Sequence, residues 1–165
     1  MMKRGQILGM PLILLFGLIV AGFILAFGVR WALNLTSEAD YIDLLGTIDD
    51  VESNIETFHN YDEGSSKTYE LSVPDDVEKV CFYDPTATEN CLDDGETCSL
   101  ELQETLDLVL DSQFNVYLIP QGLYDRNRFG IQSFTVQDGN PVCVSNGKTL
   151  LITTLEDSVG ISYYG

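Results

Sequence analysis

The stretch MMKRGQILGMPLILLFGLIVAGFILAFGVRW, residues 1–31, decides the architecture. From Ile7 to Val29 it holds 23 residues without a charge. At a helical rise of about 1.5 Å per residue such a run measures about 34 Å, against a hydrocarbon core of about 30 Å. A secretory signal has an apolar core of only about 7–15 residues followed by a small-residue cleavage site, and this segment has neither feature. The pattern therefore predicts a helix that spans the membrane once and is retained.

The flanks set an orientation. Lys3 and Arg4 precede the run, and after it only Arg30 appears before Lys67. Positive charge is retained on the cytoplasmic side, so the amino terminus is expected inside and the remainder outside. Arg30 can snorkel and Trp31 suits the headgroup layer. Gly17, Ala21, Gly28 and Ala32 share one helical stripe, on which small side chains admit a second helix closely; glycine is also common in membrane helices without such a role. Asn34-Leu35-Thr36 is a glycan-acceptor sequon, placed outside by this orientation.

The tetrapeptide Lys3-Arg4-Gly5-Gln6, directly followed by a long apolar helix, resembles the class III signal peptide of archaeal type IV pilin-like proteins. The resemblance covers about the first 30 residues. It implies cleavage by a prepilin peptidase between Gly5 and Gln6 on the cytoplasmic side, with the apolar helix kept as anchor and assembly spine. The fifth residue after that cut is Met10, where many pilins carry Glu.

Charge is distributed as unevenly as hydropathy. The chain of 165 residues has 8 Lys+Arg and 26 Asp+Glu, and its first acid is Glu38. Residues 31–165 hold five of the bases and all 26 acids, a net charge of −21. Such a domain is repelled by phosphate backbones, which excludes nucleic acid as a partner. The expected partners are membrane lipid and, through the helix, further copies or other membrane-anchored subunits.

Cys81, Cys91, Cys98 and Cys143 all follow the apolar run, and an even number in an exported domain predicts two disulfides. No C-x-x-C occurs, which makes a zinc site the weaker alternative. The pairing hypothesised from spacing closes Cys91 to Cys98 across Leu92–Thr97 and ties Cys81 to Cys143.

Beyond the span, Ala39, Ile42, Leu45, Ile48, Val51, Ile55 and Phe58 recur every three or four residues, with acids between them. This is an amphipathic helix. Ser37 with Asp40 reads as a capping box, so the helix either restarts there or runs on from the membrane. Its stripe is expected to pack on the domain that follows or on another copy of itself. His59 at its end fits a helix carboxyl terminus or a surface position.

From residue 67 the texture changes to short runs rich in β-branched and aromatic residues: KTYELSV, VEKVCFY, FNVYLIP, NPVCVS and KTLLITT. Asp138-Gly139 and Asn146-Gly147 are tight-turn dipeptides, which predict hairpins in an antiparallel meander ending in GISYY. SLELQETLDLVLDS, with Ser99 as cap, predicts a helix over 99–112 lying on one face of that sheet. The fold class is thus α+β: a tip and transmembrane helix over 1–35, an amphipathic stalk helix over 36–60, and a disulfide-stabilised head over 61–165.

Candidate chemistry is sparse. A calcium loop beginning at Asn90 would place Gly95 sixth and Glu101 twelfth but fails at Leu92, which has no oxygen ligand. Asp84, Asp93, Asp94 and Glu96 remain as acids that another geometry would have to gather. Tyr124, Arg126, Arg128 and Phe129 form a candidate recognition loop for a carboxylate or glycan, the alternative being pairing of the arginines with nearby acids. Nucleophile, phosphate-loop, zinc-protease and dinucleotide motifs do not occur, so neither a cofactor nor catalysis is expected. The leading reading is an anchored pilin-like or stalked structural protein, the second a tethered extracellular module binding a glycan, cation or partner protein, and the third, which no motif indicates, an exported enzyme.

Overall fold

The computed structural model describes residues 9–88 and 90–165, with side chains described except at 9–10 and 32–37. Helix α1 is one run, Gly9–His59, without a restart at Ser37. Contacts divide the chain after Asp40 into two units. In the first, Pro11–Trp31 has a mean hydropathy of 2.9 and none of it is buried. Length and composition make this helix able to cross a membrane.

The second unit begins at Tyr41. Leu44, Ile48, Val51, Ile55 and Phe58 follow each other at intervals of four and three, which keeps them on one face of α1, and all are buried. The outer part of α1, expected within a stalk at 36–60, thus contributes its apolar stripe to the head's own core. The stripe differs from expectation at its start. Ile42 is 66% exposed, Ala39 is exposed and Leu45 half-buried, while Leu44 is fully enclosed. Ile42 lies about 160° around the helix from Leu44, so the two cannot share the buried face.

Two sheets complete the unit. The first has the order β1 (Ser66–Glu70), β9 (Thr149–Thr154), β10 (Val159–Tyr164), β7 (Phe134–Val136). The second runs β4 (Glu96–Thr97), β3 (Leu92–Asp93), β8 (Val142–Ser145), β2 (Lys79–Phe82), β5 (Val116–Ile119), β6 (Arg128–Phe129). The expected all-antiparallel meander is corrected on two counts. Both sheets are mixed, because β7 runs parallel to β10 and β3 parallel to β8. Neither turn dipeptide closes a hairpin. Asp138, at φ 66°, lies between β7 and β8, and Gly147, at φ 75°, between β8 and β9, so both turns carry the chain from one sheet to the other. A left-handed turn residue reverses the chain, but the apolar face of the next strand selects the sheet it joins.

Alternation sorts the second sheet's two faces. Val80, Phe82, Val116, Leu118, Val142 and Val144 join the core formed with α1 and the first sheet. Cys81, Tyr117, Ile119 and Cys143 face the other way and meet Leu102 and Leu106 of helix α2, Leu100–Val109. Strand β5 is buried at all four residues because it is covered on both sides. Helix α2 starts where expected: the Leu102 amide donates to Ser99 Oγ at 3.3 Å, satisfying one of the free donors of the first turn.

Candidate functional site

In the apolar segment Gly17, Ala21 and Gly28 are exposed. A Cβ added at Gly17 or Gly28 would meet nothing within 4 Å. Gly5 and Gln6, the expected processing site, lie outside the described residues, as do the side chains of Ala32 and Asn34.

The cysteines bond as Cys81–Cys143 and Cys91–Cys98, the pairing hypothesised from their spacing, and no described cysteine is free. Cys81 and Cys143 are direct cross-strand partners on β2 and β8 and are fully buried. Cys91 and Cys98 clamp the β3–β4 hairpin, where the Cys98 amide also donates to the Cys91 carbonyl at 3.1 Å.

Three of the acids between 84 and 101, Asp84, Asp93 and Asp94, are committed separately. Lys79 and Asp93 form the single ion pair among the described residues. Asp94, at φ 48°, accepts from the Ser145 amide at 2.9 Å and from Ser145 Oγ at 2.7 Å. Asp84 is buried, and its carboxylate accepts from the Thr86 amide at 2.8 Å, Thr86 Oγ1 at 2.6 Å and Thr135 Oγ1 at 2.5 Å. Burial alone would raise the Asp84 pKa. The hydrogen bonds from Thr135, Thr86 and the Ala87 amide outweigh it and hold the group below the ordinary carboxylate range. Among the described residues no three His, Cys, Asp or Glu side chains lie close enough to hold a metal ion.

Asp84 belongs to a polar core that sequence reasoning missed. Asn140, 1% exposed, accepts from the Asp84 amide at 2.9 Å and donates to the Asp84 carbonyl at 2.7 Å and the Ala87 carbonyl at 3.1 Å. The available signals were Asp84-Pro85-Thr86, an Asx-turn sequence, and Asn140-Pro141.

Two open clefts flank α2. One, about 330 Å³, lies against Asn90, Cys91, Gln103 and Asp107. The other, about 410 Å³, is bordered by the Lys79–Asp93 pair, Ser99, Glu101 and Gln121. The Ser99 hydroxyl is held as the helix cap and Gln103 donates to the Cys98 carbonyl at 3.1 Å, so their polar groups serve the fold. His59 sits exposed at the end of α1.

The candidate recognition loop is partly assembled. The Arg126 guanidinium lies over the Phe129 ring at 4.9 Å from its centroid, and Arg128 over Phe114 at 5.9 Å. Phe114 is the member sequence spacing did not show. Tyr124 turns elsewhere and packs its ring on Tyr41 of α1, 5.2 Å between centroids. Among the described residues no carboxylate lies within 4 Å of either guanidinium, so the expected alternative of intrachain ion pairing is not what holds them. Arg128 stands on the edge of the second sheet, since β6 pairs only with β5, and Arg126 lies two residues before that strand. The edge is braced by bonds from the Asn115 amide to the Phe129 carbonyl at 3.0 Å and from the Leu118 amide to the Asn127 carbonyl at 3.1 Å. The two rings belong to different clusters, Phe129 to the core formed with α1 and Phe114 to the cluster around α2, and Arg126 Nε donates to the Arg128 carbonyl at 3.4 Å.

No protein-family model, curated protein or solved structure matches this chain.

Proposed function

We propose that this chain is a single-pass, membrane-anchored, surface-exposed structural protein of pilin-like or stalked type. The helix over Pro11–Trp31 holds it in the lipid, and the disulfide-bonded unit from Tyr41 faces the exterior. The observation that carries the proposal is the joining, in one chain, of an unburied apolar helix of membrane length to a compact unit with two disulfides. Apolar surface of that extent needs lipid or other helices to cover it. Disulfides persist in oxidising compartments, and the basic residues before the span orient it with its amino terminus in the cytoplasm.

Amino-terminal sequencing of membrane-extracted protein tests the pilin-like part. A mature terminus at Gln6 supports processing and retention of the helix, and an intact Met1 on the surface-assembled protein overturns pilin-type processing. A second reading, a tethered binding module, is favoured by the arginine–aromatic edge alone. Ligand binding that persists after removal of residues 1–35 would favour it over assembly through the helix.

A further inference from the structure

We propose that Cys91–Cys98 is a thiol-exchange site, at which a small thiol attacks the Cys91 sulfur and is held there as a mixed disulfide while Cys98 departs as the free thiol. The site lies wholly within the unit from Tyr41 and owes nothing to the membrane helix. The two disulfides of that unit differ in access. Cys81 and Cys143 are fully buried on β2 and β8, beneath Leu102 and Leu106, which shuts thiols out while the head is folded. Cys91 is half-buried and borders the cleft of about 330 Å³ beside α2, whereas Cys98 is 6% exposed and does not border it. Exchange proceeds by attack of a thiolate on a reachable sulfur, and exposed disulfides are the labile ones. The cleft therefore directs the attack to Cys91 and makes Cys98 the leaving group. Cys98 stands immediately before Ser99, the cap of α2, with its carbonyl held by Gln103 Nε2 at 3.1 Å.

In the exchange the incoming thiol gives its proton to solvent and its sulfur bonds to Cys91 Sγ. The Cys91–Cys98 bond breaks with its electron pair on Cys98 Sγ, which takes a proton from solvent. One disulfide and one thiol are consumed and one of each is formed. Return attack by Cys98 on Cys91 expels the small thiol and restores the original bond, whereas a second small thiol releases a symmetrical small disulfide and leaves both cysteines reduced. The β3–β4 hairpin keeps its place without its sulfurs. The Leu92 amide donates to the Pro141 carbonyl and the Asp94 amide to the Cys143 carbonyl, both at 2.9 Å. Asp93 is paired with Lys79, and the Asp94 carboxylate accepts from Ser145. The Cα atoms of Cys91 and Cys98, 5.4 Å apart, are tied in addition by the bond from the Cys98 amide to the Cys91 carbonyl at 3.1 Å. A loop this short also restricts the unfolded chain less than the long one, so the fold gives its link less protection. Opening it leaves the head standing and the two sulfurs within reach of each other, which makes the exchange reversible.

The test treats the full chain, in detergent and without denaturant, with cysteamine, a small thiol whose ammonium suits the acidic surroundings. Free thiols are then blocked with iodoacetamide and the cysteine peptides mapped by mass spectrometry. Cys91 and Cys98 are expected to be alkylated at least about tenfold sooner than Cys81 and Cys143, which become reachable only when the head opens. The near-ultraviolet circular dichroism of the tyrosines is expected to persist through that stage. Cystamine, the corresponding small disulfide, should load the Cys98→Ser variant with an adduct on Cys91 and leave Cys98 of the Cys91→Ser variant unmodified. Alkylation of all four cysteines together, none until urea unfolds the head, loss of the tyrosine signal with the first link, or an adduct absent from Cys91 or present on Cys98 overturns the inference.

Discussion

The two disulfides close loops of very different length, and that difference sets their stabilities apart. Cys81 and Cys143 are 62 residues apart, and Cys91 and Cys98 are 7 apart. In the chain-entropy treatment a cross-link removes about 2.1 + 1.5R ln n cal/mol/K from the unfolded chain, which gives about 4.3 kcal/mol for the long loop and about 2.4 kcal/mol for the short one at 25 °C. The long link is also fully buried between β2 and β8, beneath Leu102 and Leu106, so deleting its sulfurs adds lost packing. Cys81→Ala/Cys143→Ala is therefore expected to cost at least about 2 kcal/mol more than Cys91→Ala/Cys98→Ala. Urea unfolding of the full chain in detergent, followed by near-ultraviolet circular dichroism, reads the difference. The single tryptophan, Trp31, lies in the apolar helix and would not report on the head, whereas the signal of the eight tyrosines would. Equal losses, or a larger loss for the Cys91–Cys98 pair, would refute the loop-length reasoning.

Leu44→Ala should destabilise the head by about 2–5 kcal/mol, while Ile42→Ala stays within about 0.5 kcal/mol, because the first side chain is enclosed and the second is 66% exposed; the same urea assay compares them. Asp84→Asn should cost about 1–3 kcal/mol at pH 7, since it sets an amide donor against the hydroxyl and amide donors of Thr86 and Thr135. The depressed pKa of Asp84 makes its contribution fully present above the unfolded value of about 3.9 and lost as pH falls through the lower folded value. The variant should accordingly show a shallower acid-induced loss of stability below about pH 4 in urea titrations at stepped pH. Tyr117→Phe should cost about 1–2 kcal/mol, measured by thermal melting, because the hydroxyl accepts from the Asp111 amide at 2.7 Å and lies 2.8 Å from the Asp111 carbonyl and 2.9 Å from that of Phe114.

What was legible in the sequence was local. The uncharged run from Ile7 announces a membrane-length helix, Ser99 announces the start of α2, and FNVYLIP announces a buried strand. Sheet membership was not legible, because it depends on which apolar face meets which layer. Only Pro74-Asp75-Asp76 separates KTYELSV from VEKVCFY, yet β1 and β2 lie in different sheets. Asp138-Gly139 and Asn146-Gly147 mark tight turns but not their destinations. In Asn146 the side chain is itself structural, accepting from the Val73 amide at 3.1 Å, 73 residues away in sequence. The Asp84–Asn140 network hid for the same reason, since its partners are separated by 56 residues. At the arginine edge the cation–aromatic pairing of Arg126 with Phe129 was readable from proximity, whereas Phe114 reaches Arg128 only through the β5–β6 pairing.

Adding protease to intact cells that express the full chain examines anchor and orientation together. The account predicts that the unit from Tyr41 to Gly165 is cut from outside, under reducing conditions that open its two disulfides, while a short fragment containing Pro11–Trp31 stays with the membrane. A head that resists digestion until the cells are lysed, or a chain found whole in the soluble fraction, would contradict it.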